Sequence, residues 1–271
     1  MNGIMERTLG ILEHLATHAQ GLPLGQLADE LAIPRSAAHR LLTDLCQCGY
    51  VRQLRDHGDY VLTTKLVTLG LNFLSNTGVV DIAQPLLDRL AAASGELVRL
   101  SVVDGETLTW VAKAQGARRG LLYDPEMGAV AKLSCSASGL AWLLTMSDEQ
   151  AVELIGRQGF GSREEYGPNA PTTVRELLEQ LAEARRRGYS VTLETFTPGM
   201  AAMAAPVRRA AQPAVGVISI AGPLVRFTET RMHELAPLLL DVAAELAGAS
   251  GASLLFNRPV PLGKAHPLVA T

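Results

Sequence analysis

Between Arg35 and Arg55, four arginines (Arg35, Arg40, Arg52, Arg55) meet a single anion, Asp44, in a stretch that up to Gly78 is otherwise balanced, with six cations against seven anions. A guanidinium is a forked donor suited to guanine edges and to phosphate, so a local cationic strip is the footprint expected of a protein that meets nucleic acid. Three other sets of residues have types that do chemistry. Cys46, Cys48 and Cys135 offer thiols, Ser134, Ser136 and Ser138 crowd hydroxyls before Gly139, and Arg185-Arg186-Arg187 concentrates charge. Cys46 and Cys48 form a C-x-C with no second pair, short of the converging ligands zinc requires, and are expected to be small buried hydrophobes. Cys135 is a nominal nucleophile, but the histidine between residue 57 and the tail is His233 alone, and no Gly-x-Ser-x-Gly elbow occurs. Gly156, Gly159 and Gly161 do not follow the dinucleotide-binding spacing. No catalytic residue, metal or cofactor is therefore expected. A Cys135-dependent hydrolase or transferase is the alternative, predicting turnover and no retention on DNA. The triple arginine reads as a helix end, cations at the C-terminal dipole followed by Gly188.

The elements around the arginine strip give it a shape. Leu9, Leu12, Leu15 and Ala16 recur at helical spacing before Gly21 and Pro23 stop the helix. Leu24, Leu27, Ala28 and Leu31 predict a short second helix. Pro34 suits the first turn of a third, whose core face is Ala38, Leu41, Leu42 and Leu45. Its opposite face carries Ser36, His39, Arg40 and Thr43, with Arg35 at its start. Strands over 50–54 and 60–63 flank a turn containing Arg55. Two helices joined by a tight turn, the second with a polar donor face, describe a helix-turn-helix whose recognition helix enters the major groove. Arg35 and Arg40 would read bases or phosphate, Ser36 and Thr43 would reach phosphate, and the hairpin would be a wing carrying Arg52 and Arg55.

The chain has 271 residues, 48% hydrophobic and 19% charged, with a net charge of −3. That is enough apolar material for one large or two ordinary domains, and it excludes disorder over most of the length. An odd, sparse cysteine set argues for a reducing cytosol. No signal peptide opens the sequence, and the apolar run 235–246 is broken by Asp241 and Glu245, so a cytoplasmic protein away from membranes is expected. Beyond connecting helices over 69–90, strands are predicted at 97–103 and 108–114 around Asp104-Gly105-Glu106. The first alternates Val98, Leu100 and Val102 against Arg99 and Ser101. A short helix follows at 136–144. Ser147 with Gln150, and Thr173 with Glu176, are capping boxes for two more. Strands at 189–194 and 215–221 precede a helix over 228–247 that Pro237 should kink or begin. The class is α+β: helices on an antiparallel sheet of the GAF or PAS sensory type, behind an N-terminal winged helix-turn-helix.

The runs RTLGILEHLA, LPLGQLADELAIPRSAAHRLLTDLCQCGYV and YVLTTKLVTLG in residues 7–71 resemble the winged-helix domain of the isocitrate-lyase-regulator (IclR) family. SCSASGLAWLL, TTVRELLEQLAEARRRGYSVTLETFTPGMAAMAAPV and AVGVISIAGPLVRFTETR resemble the family's second domain, in the same order. Ser36-Ala37 departs from the usual Ser-Thr. The resemblance implies a winged helix-turn-helix at 1–66, a linker helix at 67–80 and an effector-binding domain at 81–250; the tail at 251–271, with Pro259, Pro261 and Pro267, lies beyond it and is expected to be a poorly ordered extension. It implies a regulator of a catabolic operon acting on a pseudo-palindromic operator in double-stranded DNA. A homodimer is expected through the N-terminal helix and the region of Leu69, Leu71 and Phe73, and the resemblance implies a dimer of dimers through the ligand domains. By position, the family's effector pocket falls on Ala137, Ser138, Thr192, Met200, Ala202, Ser219 and Ala221, with Tyr123 and Ala131 as an apolar lid. Without an arginine among these positions, a small organic acid, an aromatic or short aliphatic carboxylate, would be held by backbone N–H groups at the helix start near Gly139 and by the hydroxyls of Ser138, Thr192 and Ser219. Glu194 and Gly199 match strong family positions and also fit a capped charge and a turn requiring positive φ.

Overall fold

A computed structural model describes residues 3–54, 58–125, 127–253 and 256. The chain divides into two compact units, Met1–Asn76 and Thr77–Thr271.

In the first unit, helices α1 (Ile4–Ala16), α2 (Leu24–Glu30) and α3 (Arg35–Gln47) are followed by strands β1 (Val51–Gln53) and β2 (Tyr60–Leu62), then helix α4 (Lys65–Thr77). The strands pair antiparallel with Arg52 opposite Val61. Ile11 and Leu15 of α1, Leu27 and Ala28 of α2, and Ala38, Leu41, Leu42 and Leu45 of α3 close one apolar core. The inner stripe of α1 differs from the expected Leu9, Leu12, Leu15 and Ala16. Ile11 and Leu15, one turn apart, face inward, whereas Leu9 lies some 200° around the helix and is 49% exposed. Between α2 and α3 the chain reverses through Ala32, a non-glycine residue at φ 51, and the Ile33 N–H returns to the Ala28 carbonyl at 2.8 Å. Arg55, Asp56 and His57, the predicted wing turn, lie outside the described residues.

The second unit begins with α5 (Val79–Ser94), entered through Gly78 at φ 65, and the hairpin β3 (Leu97–Asp104) and β4 (Thr107–Gln115). Helices α6 (Ala137–Leu143), α7 (Asp148–Gln158) and α8 (Val174–Arg187) follow, then β5 (Ser190–Leu193), β6 (Met200–Val207), β7 (Gly216–Pro223) and α9 (Glu229–Ala249). The strands form one sheet in the order β4-β3-β7-β6-β5, every neighbouring pair antiparallel. Helix α6 packs on β5, β6 and β7 with α8 beside it, and α5 and α9 pack together against the sheet. With layers on both faces, β3 loses its predicted alternation: Arg99 and Ser101 are buried along with Val98, Leu100 and Val102. Strand β6 was not foreseen, because its alanines and Pro206 have low strand preference; between β5 and β7 it is held by pairing on both sides. Helix α9 runs through Pro237 without ending there. Both capping boxes form, Ser147 with Gln150 and Thr173 with Glu176. Ser253 and Phe256, assigned from sequence to a poorly ordered extension, are buried, and the Ser253 hydroxyl donates to the Thr77 carbonyl at 2.8 Å.

Candidate functional site

Pro34 caps α3, so Arg35 is its first helical residue. Burial of Ala38, Leu41, Leu42 and Leu45 turns Ser36, His39, Arg40 and Thr43 to solvent on one face, with Arg35 beside them. The Thr43 hydroxyl donates to the His39 carbonyl at 2.9 Å. Arg35 reaches Asp29 at 3.2 Å, with both side chains 68% exposed; such a surface pair holds about 0–1 kcal/mol and yields easily to phosphate. Arg52 is exposed on β1. Lys65, one of the six cations of this region and outside the arginine strip, caps the end of α3 through the Cys48 carbonyl at 2.6 Å and lies 4.6 Å from the Tyr50 ring centre. This surface presents forked donors on a rigid helix and adds no reactive group.

The second candidate is a cavity on the face of the sheet that carries α6. Its walls include Tyr123, Ala137, Ser138, Thr192, Met200, Ala202, Ser219 and Ala221, eight of the nine positions expected for a ligand, together with Arg99, Trp110, Ser136, Thr195, Phe196 and Thr197. Ala131 is the exception. It is fully buried in the core, its N–H donating to the Leu108 carbonyl at 2.8 Å, and it does not line the cavity. Free volume is about 30 Å³, room for about two waters, so an organic ligand must part the walls.

The donors differ from expectation. The Thr192 hydroxyl donates to the Ala202 carbonyl at 3.2 Å and the Ser219 hydroxyl to the Arg99 carbonyl at 3.4 Å, and each hydroxyl has a single proton. Ser138 accepts from Trp110 Nε1 at 3.4 Å, which leaves its own proton for a ligand. The Gly139 N–H at the start of α6 is already taken by the Ser136 hydroxyl at 3.0 Å. A Cβ on Gly139 would stand 2.4 Å from Leu133 Cα and O, so this glycine serves close packing. The charge sits instead on Arg99, which was expected to point away from the core. It is 5% exposed, its guanidinium carbon lies 4.0 Å from the Trp110 ring centre, and its Nε and Nη1 have no hydrogen-bond partner. Burial lowers its pKa to about 10, so it remains a cation at neutral pH. Phe196 stands edge-on to Trp110 at 6.1 Å.

Other candidates are occupied by structure. The Glu194 carboxylate, on a residue at φ 53, accepts from the Gly199 N–H at 2.9 Å and shapes the turn between β5 and β6. Arg185 donates to the Leu144 and Met146 carbonyls and to Asp148, while Arg186 and Arg187 pair with Glu183. Cys135 is fully buried, and that burial pushes its thiol up to about 12. His233 hydrogen-bonds Tyr189 at 2.7 Å. Among the described residues His14, His18 and Glu30 have metal-ligand types within 4.8 Å of one another. Their atoms already tie α1 to α2, through His14 Nε2 and Glu30 at 2.5 Å. Gln26 and then His14 hold the Glu30 carboxyl below its usual range.

The family model described as the bacterial transcriptional regulator IclR C-terminal domain matches residues 71–247, and the IclR helix-turn-helix domain matches residues 5–55. The chain belongs to the IclR family of transcriptional regulators. The transcriptional repressor IclR of Escherichia coli K12 is 30% identical over 248 residues, covering 91% of this chain and 89% of the repressor. An IclR transcriptional regulator from Alicyclobacillus acidocaldarius shares the fold at a TM-score of 0.77 and 21% identity, covering 90% of this chain and 97% of that one. An IclR homologue from Microbacterium hydrocarbonoxydans, solved in complex with 4-hydroxybenzoate, superposes at 0.74 and 20% identity over 93% and 100% of the two chains. Helices α2 and α3 are thus the helix-turn-helix of an IclR regulator, and the five-stranded unit is its C-terminal domain. No single helix among the described residues is long and apolar enough to cross a membrane.

Proposed function

We propose that this IclR regulator acts in the cytoplasm as a one-component switch on a catabolic operon. It reads a pseudo-palindromic operator through Arg35, Ser36, His39, Arg40 and Thr43, with Arg52 and Arg55 on the flanking backbone. The observation that carries this reading is the division of α3 into a fully packed apolar face and an exposed donor face. One small head covers little DNA, so useful affinity calls for two on one site. Val67, Leu69 and Leu71 on α4 are exposed apolar side chains that a second copy would cover. In the second unit, a small organic acid enters the cavity of Ser138, Thr192 and Ser219. Its aromatic walls, Trp110, Tyr123 and Phe196, suit an aromatic carboxylate, the class bound by the Microbacterium relative. Binding rather than turnover is the output, since a protonated, buried Cys135 is a poor nucleophile.

Fluorescence anisotropy with the DNA upstream of the protein's own operon tests the reading. At fixed salt, Arg40→Ala should lose about 1–3 kcal/mol on that duplex and little on a scrambled one. Two protomers should bind per site. Unchanged affinity in Arg40→Ala, or one protomer per site, would contradict it.

A further inference from the structure

Among the described residues the second unit buries two charges, Glu96 and Arg99, and treats them in opposite ways. Glu96 is 4% exposed and is met by a forked partner, Arg226, with Nε at 2.5 Å and Nη2 at 2.9 Å from its two oxygens. Arg99, three residues on, is buried to nearly the same degree, yet its Nε and Nη1 meet nothing. A guanidinium removed from water without a counter-charge is strongly unfavourable. Tyr123 and then Asp124 favour the cation electrostatically, against the larger effect of burial, but neither hydrogen-bonds Nε or Nη1. Asp124 is engaged by Lys113 at 2.5 Å, and Ser219, directly across on β7, turns its hydroxyl to the Arg99 carbonyl rather than to the guanidinium. What does touch the guanidinium is the face of Trp110, and the Arg99 side chain lines the cavity. Trp110 also donates to Ser138, so the stack is fixed in orientation.

We propose that Arg99 is the charged anchor of the effector site. The effector is accordingly an aromatic monocarboxylate, with its anion on the Arg99 guanidinium and the Ser138 hydroxyl and its ring against Trp110 and Phe196. This rests on the cavity being the effector site. A guanidinium–carboxylate pair is charge-assisted and planar, and here it would satisfy donors the fold leaves open. Neutral analogues of the same shape would leave the charge buried and unmet, which makes Arg99 a selector for the ionised acid.

Thermal unfolding with benzoate, phenylacetate and 4-hydroxybenzoate, each beside its primary amide, tests the proposal on the full chain and on Arg99→Met, Arg99→Lys and Ser219→Leu. At least one acid should raise Tm while its amide does not. Arg99→Met should abolish that shift while raising the ligand-free Tm by about 2–4 °C, because a buried unpaired charge has gone, and Arg99→Lys should keep part of it. Equal stabilisation by acid and amide, or stabilisation by none of the acids, overturns the proposal whether or not the variants fold. A shift kept in Arg99→Met but lost in Ser219→Leu removes the anchor and leaves the cavity. A shift kept in both removes the cavity as the effector site as well.

Discussion

Cys135 and Arg99 are both ionisable side chains buried in the same unit, and burial acts on them in opposite senses. It raises the thiol from an ordinary 9.0 to about 12 and lowers the guanidinium from its ordinary value to about 10. Because the folded thiol holds its proton more tightly than the unfolded one, its contribution to stability is complete below pH 9 and is lost as pH rises from about 9 towards about 12. Urea unfolding followed over that range should show the native chain losing stability faster than Cys135→Ala. Parallel curves would mean that the thiol is not shielded as the structure has it. Individual residues were legible where their chemistry is local. Ser138, Thr192 and Ser219 were placed together from their positions in the family pattern, but the direction of their protons depends on which carbonyls come near. Arg99 departs from the alternation of its strand for a physical reason. A charged residue alternating with valines in a strand normally faces water, and only a second layer of helices reverses that.

At the scale of elements, cap chemistry was the clearest signal. In α8, Thr173 Oγ1 accepts from the Glu176 N–H at 3.2 Å, and the Glu176 carboxylate takes the Thr173 N–H at 3.2 Å and the Thr172 N–H at 2.8 Å. These bonds, the Thr172 N–H first, hold the Glu176 carboxyl below its usual range. Thr173→Ala should lower stability by about 1 kcal/mol, read as a lower urea midpoint at unchanged slope, whereas an unaltered midpoint would show the cap to be idle. Helix α3 was equally legible, since four apolar and four polar positions at helical spacing determine both faces without tertiary information. Elements whose conformation is imposed from outside were not. Strand β6 is alanine-rich and becomes a strand because β5 and β7 pair with it. Ala32 takes a left-handed turn that its side chain does not favour. The inward face of α1 was displaced because Ile11 and Leu9 are equally apolar, and the position of α2 and α3 decides between them.

At the scale of the whole molecule, regulation requires a coupling free energy between a cavity in one unit and a helix face in the other. An effector must favour either the DNA-competent or the DNA-incompetent arrangement, by about 1–3 kcal/mol in typical cases. The narrow cavity, about 30 Å³ free, supports such a bias, because a ligand that enters must part its walls, and packed walls respond in discrete steps rather than continuously. The most direct measurement is operator affinity by anisotropy at fixed salt, with and without a saturating aromatic acid, on the native chain and on Arg99→Met. The acid should change the operator dissociation constant of the native chain by about 5–150-fold and leave that of Arg99→Met where it was. An acid that binds the native protein tightly and leaves its operator affinity unchanged would contradict the coupling between cavity and DNA.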